Sequence, residues 1–545
     1  MVYVSRIWLK GPYRLKFHHR FRQLTKYIYH IKIGIKRNVL ARVLSAILMG
    51  LISLSTFFIV YECIARFLPP SKSISDKLFY LKAILIDWNI LIIPGPTILK
   101  VFLIAFIFLF YKPGRNLILF FFKNIWSFLR VLPDDQTKEL ARRYLNIARF
   151  SFYKRQSDIF AKLQEQYPSG TGFVVLPMDM EFMEAGKLKT GFSYHDQMAA
   201  LAKIKKASKS KDLLFPFVFV EPRRMVAEGI AHFDYLVNDG HVEMKDCFIK
   251  KFIESNGFAG FKIYPALGYY PFDETLLPLW KYAADRGLPV LSHCIRGTIF
   301  YRGTKMPEWD YHPVFKQPCS NKNLEPLLLN QVNNADFINN FTHPLNFLCL
   351  LEETFLRKLV GEAKDARIRK LFGYQNENTA LKYNLSHMKI CLGHFGGDDE
   401  WSKFMNSDRD QYSSQLVTDP DVGITFLVNN NNEPRPGKIE QLWKFTDWYS
   451  IICSLMLQYE NVYADLSYII HNESITPLLK HTLRNEHLRP KVLFGTDFYV
   501  VRNHKSEKQM LADLFDGLSL SEIEAIGKMN PRTFLSNKIH GDVKI

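Results

Sequence analysis

Three short apolar runs, each closed by a side chain able to bind a metal or move a proton, constrain this chain more than any other feature. They are GLPVLSHC (Gly287 to Cys294), ending on His293, KICLGHFGG (Lys389 to Gly397), ending on His394, and KVLFGTDF (Lys491 to Phe498), ending on Asp497. Runs this short, apolar and bounded by turn residues suit strands buried on both faces better than helices. In a (β/α)8 barrel the carboxyl ends of such strands meet at one face and carry the active site, so these three side chains converge there. Two imidazoles and a carboxylate suit zinc or manganese with a position left for water. Taken singly, each residue has an ordinary alternative, a structural His or Asp bonded to a loop.

From Gly172 onward strand and helix patterns alternate, the signature of a parallel α/β architecture. Seven strands are expected, near residues 173 to 179, 215 to 220, 259 to 264, 289 to 293, 389 to 394, 461 to 465 and 491 to 496. An eighth is placed either near Ala335 to Phe341 or near Gly423 to Val428. The interval 296–388 far exceeds an ordinary strand-to-helix connection, and an insertion at the catalytic face commonly builds a lid or pocket.

The stretch from Phe173 to Leu535 resembles the amidohydrolase-related branch of the metal-dependent hydrolase superfamily, which also contains decarboxylases of aromatic acids. The matching pieces are FPFVFVEPRR (Phe215 to Arg224), GFAGFKIYP (Gly257 to Pro265), the His293 and His394 runs, NVYADLS (Asn461 to Ser467), the Asp497 run and NPRTFL (Asn530 to Leu535). The resemblance implies a TIM-like (β/α)8 barrel holding a divalent metal, with His293 and Asp497 as ligands and His394 as ligand or catalytic base. One departure stands out. The family's first strand ends in an Asp-x-His-x-His pattern, whereas VVLPMDMEFM (Val174 to Met183) has no histidine. Strand alternation puts Asp179 and Glu181 on one side, so they either replace the missing imidazoles or form ion pairs at the barrel mouth. Carboxylate ligands would favour manganese or magnesium over zinc.

Four further residues are candidate substrate contacts. Arg223 and Arg296 near strand ends suit a two-pronged grip on an anionic small molecule, or a salt bridge in the barrel rim. Lys262 ends a strand and is, in some relatives, a carboxylated bridge between two metals. His343 is a candidate ligand or substrate contact, with a surface or helix-capping role as its alternative. Cys294 reads as a buried small hydrophobe rather than a nucleophile.

The N-terminal quarter differs in kind. Of the formal net charge of +18, nearly all falls in residues 1–133, which hold 20 Lys plus Arg against 3 Asp plus Glu. Residues 1–42 form a basic, aromatic-rich arm suited to nucleic acid or to an anionic membrane surface. The adjacent run Val43 to Tyr61, 19 residues without a charge and close to the roughly 20 needed to span a bilayer, decides for the membrane. Ile92 to Tyr111, broken by Pro94, Pro96 and Lys100, reads as a second span, and Leu117 to Leu129 as an interfacial or re-entrant helix. With basic flanks at both ends, a two-span hairpin places the barrel in the cytoplasm, and a single span places it outside. Seven scattered cysteines without CxxC spacing agree with a reducing compartment.

The expected organisation is therefore a basic arm (1–42), a membrane region of one or two transmembrane helices (43–133), a helical connector (134–170) and an amidohydrolase-like barrel (171–545). The expected activity is hydrolysis of an amide, ester or lactone-like bond by a metal-activated water, with His394 or Asp497 as the general base that takes its proton. Decarboxylation in the same shell, or an inactive membrane-anchored barrel acting as a scaffold, are the alternatives; partners are a small molecule and membrane lipid, not nucleic acid.

Overall fold

The computed structural model describes residues 38–67, 72–88, a few positions between 90 and 102, and 153–543 apart from 154, 187–192, 208–210, 298, 320–322, 331–333, 407–408, 428–436 and 502–503. Most of the basic arm, the expected second span, the run Leu117 to Leu129 and most of the connector lie outside the described residues. The chain divides into two compact units, Met1–Arg149 and Phe150–Ile545.

In the first unit, α1 (Val39–Phe67) is 29 residues long and contains the whole uncharged run from Val43 to Tyr61. It is followed by α2 (Lys72–Asp87). Part of the α1 side chains is undescribed, and among the described residues no helix is long and apolar enough to cross a membrane.

The second unit is built on one parallel sheet. Its strands are β1 (Phe173–Val175), β2 (Leu214–Phe219), β5 (Gly260–Ile263), β6 (Val290–His293), β9 (Ile390–Gly393), β10 (Val462–Asp465) and β11 (Val492–Leu493), paired in that order. All seven expected strands are present. The expected closed eight-stranded barrel is not found among the described residues: the sheet is a curled, seven-stranded half-barrel running from β1 to β11. The segment proposed for an eighth strand near Ala335 is the helix Asn334–Thr342. Its apolar residues Phe337, Ile338 and Phe341 recur at helical spacing and are all buried.

Two antiparallel hairpins interrupt the alternation: β3 (Tyr235–Asn238) with β4 (His241–Met244), and β7 (Tyr311–Pro318) with β8 (Leu324–Leu328). The second lies in the 296–388 insertion, which otherwise forms short helices between residues 334 and 372.

Period-two alternation assigns the two faces of the sheet. Phe217, Leu291, Cys391, Tyr463 and Leu493 form a small core of their own with Phe534 and Leu535 from the helix Asn530–Leu535. The opposite face packs into the main core; Phe261, Val290, Ile390 and Val492 belong to it together with Trp280 of the helix Leu277–Arg286. Lys262 pairs with Leu291 on the first face, and two residues beyond Leu291, Cys391 and Tyr463 come His293, Gly393 and Asp465 side by side, with Gly495 just past Leu493, the partner of Asp465. A Cβ at Gly393 would lie 2.9 Å from the Ser292 carbonyl oxygen and 3.4 Å from Asp465 Oδ2; one at Gly495 would lie 2.9 Å from Ser467 Cβ. The missing side chains leave room for the polar groups of this layer.

Candidate functional site

The carboxyl ends of β6, β9 and β10 bring together a continuous chain of hydrogen bonds. His293 Nδ1 lies 3.0 Å from His394 Nε2. His394 Nδ1 lies 2.8 Å from Ser467 Oγ and 3.1 Å from the Ser467 carbonyl. The Ser467 hydroxyl donates to Asp465 Oδ1, which also accepts from the backbone N–H groups of His394, at 3.1 Å, and Ser467, at 2.9 Å.

The carboxylate end sets the direction of every proton. An ionised Asp465 only accepts, so Ser467 Oγ–H is committed to it and Oγ accepts from His394 Nδ1–H. His394 Nε2 is then a bare acceptor, filled by His293 Nδ1–H. The chain ends on His293 Nε2, which carries a lone pair, is buried and has no hydrogen-bond partner among the described residues. Tyr264 stacks on this ring at 3.9 Å between centroids. Gly297 lies over its edge; a Cβ there would sit 3.4 Å from His293 Nε2 and 3.4 Å from the Tyr264 hydroxyl.

Burial, with His394 and Lys262 adding to it, holds the His293 imidazole well below the usual histidine range, so it is neutral at pH 7. Asp497 follows β11, and burial raises its carboxyl, opposed by His394 and Lys262. Lys262 is 4% exposed, and burial lowers its ammonium to about 8 against the opposing pull of Asp465 and Asp497. The backbone is strained around this cluster. Of the six non-glycine residues at positive φ among the described residues, His394 (65°), Phe395 (44°), Tyr468 (67°) and Asp497 (52°) belong to it. Strain of this kind persists where surrounding structure over-determines it, and it concentrates at functional sites.

The other expected site residues go elsewhere. β1 ends at Val175, so Asp179 is in a loop and Glu181 begins a 3-10 turn. Both bind Arg224: its Nη2 is 3.1 Å from Asp179 Oδ1 and 2.6 Å from Glu181 Oε2. They thus follow the ion-pair alternative rather than replacing the first-strand histidines. Arg223 forms a two-pronged bond with Glu221, 2.8 Å on each arm, and a third to the Leu267 carbonyl at 2.9 Å. His343 accepts from the Leu345 N–H at 3.2 Å and caps the 3-10 turn Pro344–Phe347. Arg296 is half-exposed, 3.6 Å from Glu400, and lines a small open hollow with Ile295, Gly396, Asp398 and Tyr468. Cys294 is buried, its thiol pushed up by burial, and its sulfur contacts the Thr342 carbonyl.

The donor set decides whether a divalent ion fits here. His394 Nε2 is occupied by His293, and Asp179 and Glu181 by Arg224. His293 Nε2 and Asp497 remain, two donors where a catalytic zinc site takes three protein ligands. Among the described residues, no group of three or more His, Cys, Asp or Glu is arranged to hold a metal. The residues as placed do not fit the ion that the family resemblance implies.

Asp465 and Ser467 were not among the expected site residues, although their motif NVYADLS obeys the same rule as the others, a buried strand ending in a carboxylate. Tyr264 and Gly297 carry no comparable signal in the sequence.

No family model matches this sequence, and no curated protein does. Among solved structures the chain is similar to an amidohydrolase from Mycobacterium avium subsp. paratuberculosis K-10, at 13% identity over 72% of this chain and 76% of that one, with a TM-score of 0.29.

Proposed function

We propose that this chain is a hydrolase acting on an amide, ester or lactone-like bond of a small, anionic molecule. The observation that carries the reading is the bare, buried His293 Nε2 at the end of the Asp465–Ser467–His394 chain. A water hydrogen-bonded to that nitrogen loses its proton to it as its oxygen attacks the substrate carbonyl carbon. The imidazolium formed keeps Nδ1–H on His394, whose own Nδ1–H rests on Ser467 and, through it, on Asp465. The new charge is thereby steadied by a carboxylate without that carboxylate being protonated. The proton on Nε2 then passes to the departing nitrogen or oxygen, and the acid product leaves.

The family motifs and the strained residues around the cluster support turnover. The poor fit to a metal favours a second reading, a barrel that binds a small molecule without transforming it. Decarboxylation is a third outcome at the same site. The test is cleavage of ester, amide and lactone probes by the full chain and by His293→Asn. Loss of cleavage in the variant, with its fold intact, supports the hydrolase; no cleavage by the unaltered chain sinks it.

The same reading places the enzyme at a membrane through α1. At 1.5 Å per residue, a helix of 29 residues is about 44 Å long, more than the roughly 30 Å hydrocarbon layer. The basic arm preceding it supports a cytoplasmic flank.

A further inference from the structure

Beside Gly297 the bare Nε2 of His293 has a polar neighbour, the hydroxyl of Tyr264. Tyr264 follows β5 and lies flat on the imidazole, 3.9 Å between centroids and 15° between planes. Its backbone N–H donates to the Tyr269 hydroxyl at 2.8 Å, which in turn donates to the Val220 carbonyl at 3.2 Å, and the buried turn Pro265–Leu267 follows it. The segment that carries Gly297 leads to Tyr301, whose N–H closes on the Ala266 carbonyl of that turn at 3.0 Å. The phenol ring is thus held in place, while its hydroxyl has no hydrogen-bond partner among the described residues. Burial, with Asp497 adding to it, pushes the phenol up, so the O–H stays a donor. A Cβ on Gly297 would touch both atoms at 3.4 Å, and its φ lies outside the left-handed region, so glycine serves here to leave space rather than to make a turn. A donor and a lone pair therefore share one gap about the size of a methyl group.

We propose that the Tyr264 O–H seats the carbonyl oxygen of the substrate in the gap that Gly297 leaves, beside the water held on His293 Nε2, and steadies the charge this oxygen gains. The inference rests on the hydrolase reading for its chemistry but not for its binding. As the water oxygen bonds to the carbonyl carbon, the C=O pair moves onto the carbonyl oxygen, which accepts from Tyr264 more strongly without taking its proton. The water's proton goes to His293 Nε2, and the imidazolium so formed lies on the face of the phenol ring, where a cation is attracted. Collapse of the tetrahedral species restores C=O, breaks the bond to the leaving group and sends the Nε2 proton with it, so atoms and charge balance with no added co-reactant. The reacting group is a neutral ester, amide or lactone carbonyl; a carboxylate would set its second oxygen against the Nε2 lone pair.

The experiment uses the purified full chain and trifluoroacetone, which water converts to a stable gem-diol. One hydroxyl of the diol stands where the attacking water does and the other oxygen where the carbonyl oxygen does, as in a transition-state analogue. Binding is read from the fluorine NMR shift and needs no turnover. The expected result is saturable binding, weakened about tenfold in Tyr264→Phe, which keeps the ring and removes only the O–H, and lost in Gly297→Ala, whose methyl fills the gap. On an ester probe, Tyr264→Phe should lower kcat about a hundredfold with KM little changed, a split that loosened packing does not produce. Far-ultraviolet circular dichroism checks that both variants are folded. No saturable binding by the unaltered chain overturns the proposal, and so does unchanged affinity in folded Tyr264→Phe or folded Gly297→Ala. Cleavage at full rate by Tyr264→Phe overturns it and leaves the hydrolase reading standing. Binding that depends on both residues without cleavage of any probe upholds the seat and defeats only the hydrolase reading.

Discussion

Ser467 is the hinge of the site at the level of single residues, because its hydroxyl hands the influence of Asp465 to His394. Ser467→Ala should lower kcat on an ester probe about tenfold with KM little changed, since His394 Nδ1–H keeps the Ser467 carbonyl at 3.1 Å. Asp465→Asn should cost more, about a hundredfold, because an amide can donate where the chain requires an acceptor. Steady-state kinetics of the two variants check the order; equal rates in both would remove the relay.

Elements were legible where burial is two-sided and less so at their ends. β6 and β9 match the expected spans closely because continuous apolar runs have no other way to be buried. β1 stops short of Asp179 because it is an edge strand and Pro177 has no N–H to offer a ladder. β11 stops at Leu493 because the Phe494 N–H turns to the Ile526 carbonyl at 2.9 Å. The loop after β1 is held by Arg224 instead, and Asp179 is only 1% exposed. Arg224→Met should therefore destabilise the second unit by about 3–5 kcal/mol, the cost of stranding a buried charge, measured by urea unfolding. In the insertion, His312 accepts from the N–H groups of Val314 (3.1 Å) and Phe315 (2.9 Å) and donates to Asn346 (3.0 Å), tying β7 to the following helical segment. His312→Leu leaves those groups unpaired and should cost about 2–4 kcal/mol in the same assay.

Among the described residues, four buried imidazoles held down by burial link stability to pH. Burial lowers His312 to about 3, His293 and His343 well below the usual range, and His232 against the opposing pull of Glu228. Unfolded, each takes a proton near pH 6.5, while folded it does not; the unfolded state thus binds more protons and stability falls as pH drops below about 6.5. The expected slope is about 1.4 kcal/mol per pH unit for each histidine until its folded pKa is reached. Glu352, raised to about 7 by burial, works in the opposite sense over the same range, so urea midpoints that fall between about pH 7 and 5 show that the imidazoles dominate, and an unchanged midpoint would mean that they do not. At the same scale, the membrane proposal predicts that the full chain stays with lipid through alkaline carbonate extraction.

By itself the sequence determined the parallel α/β class, the seven strands, and the delivery of His293, His394 and Asp497 to one end of the sheet, because two-sided burial and alternation are local properties of a strand. Tertiary structure alone decided that His394 faces His293, that Arg224 captures Asp179 and Glu181, and that Ser467 joins His394 to Asp465. Those outcomes depend on register between strands far apart in the chain and on competition among charges for partners in a buried space, and neither is written in any one segment.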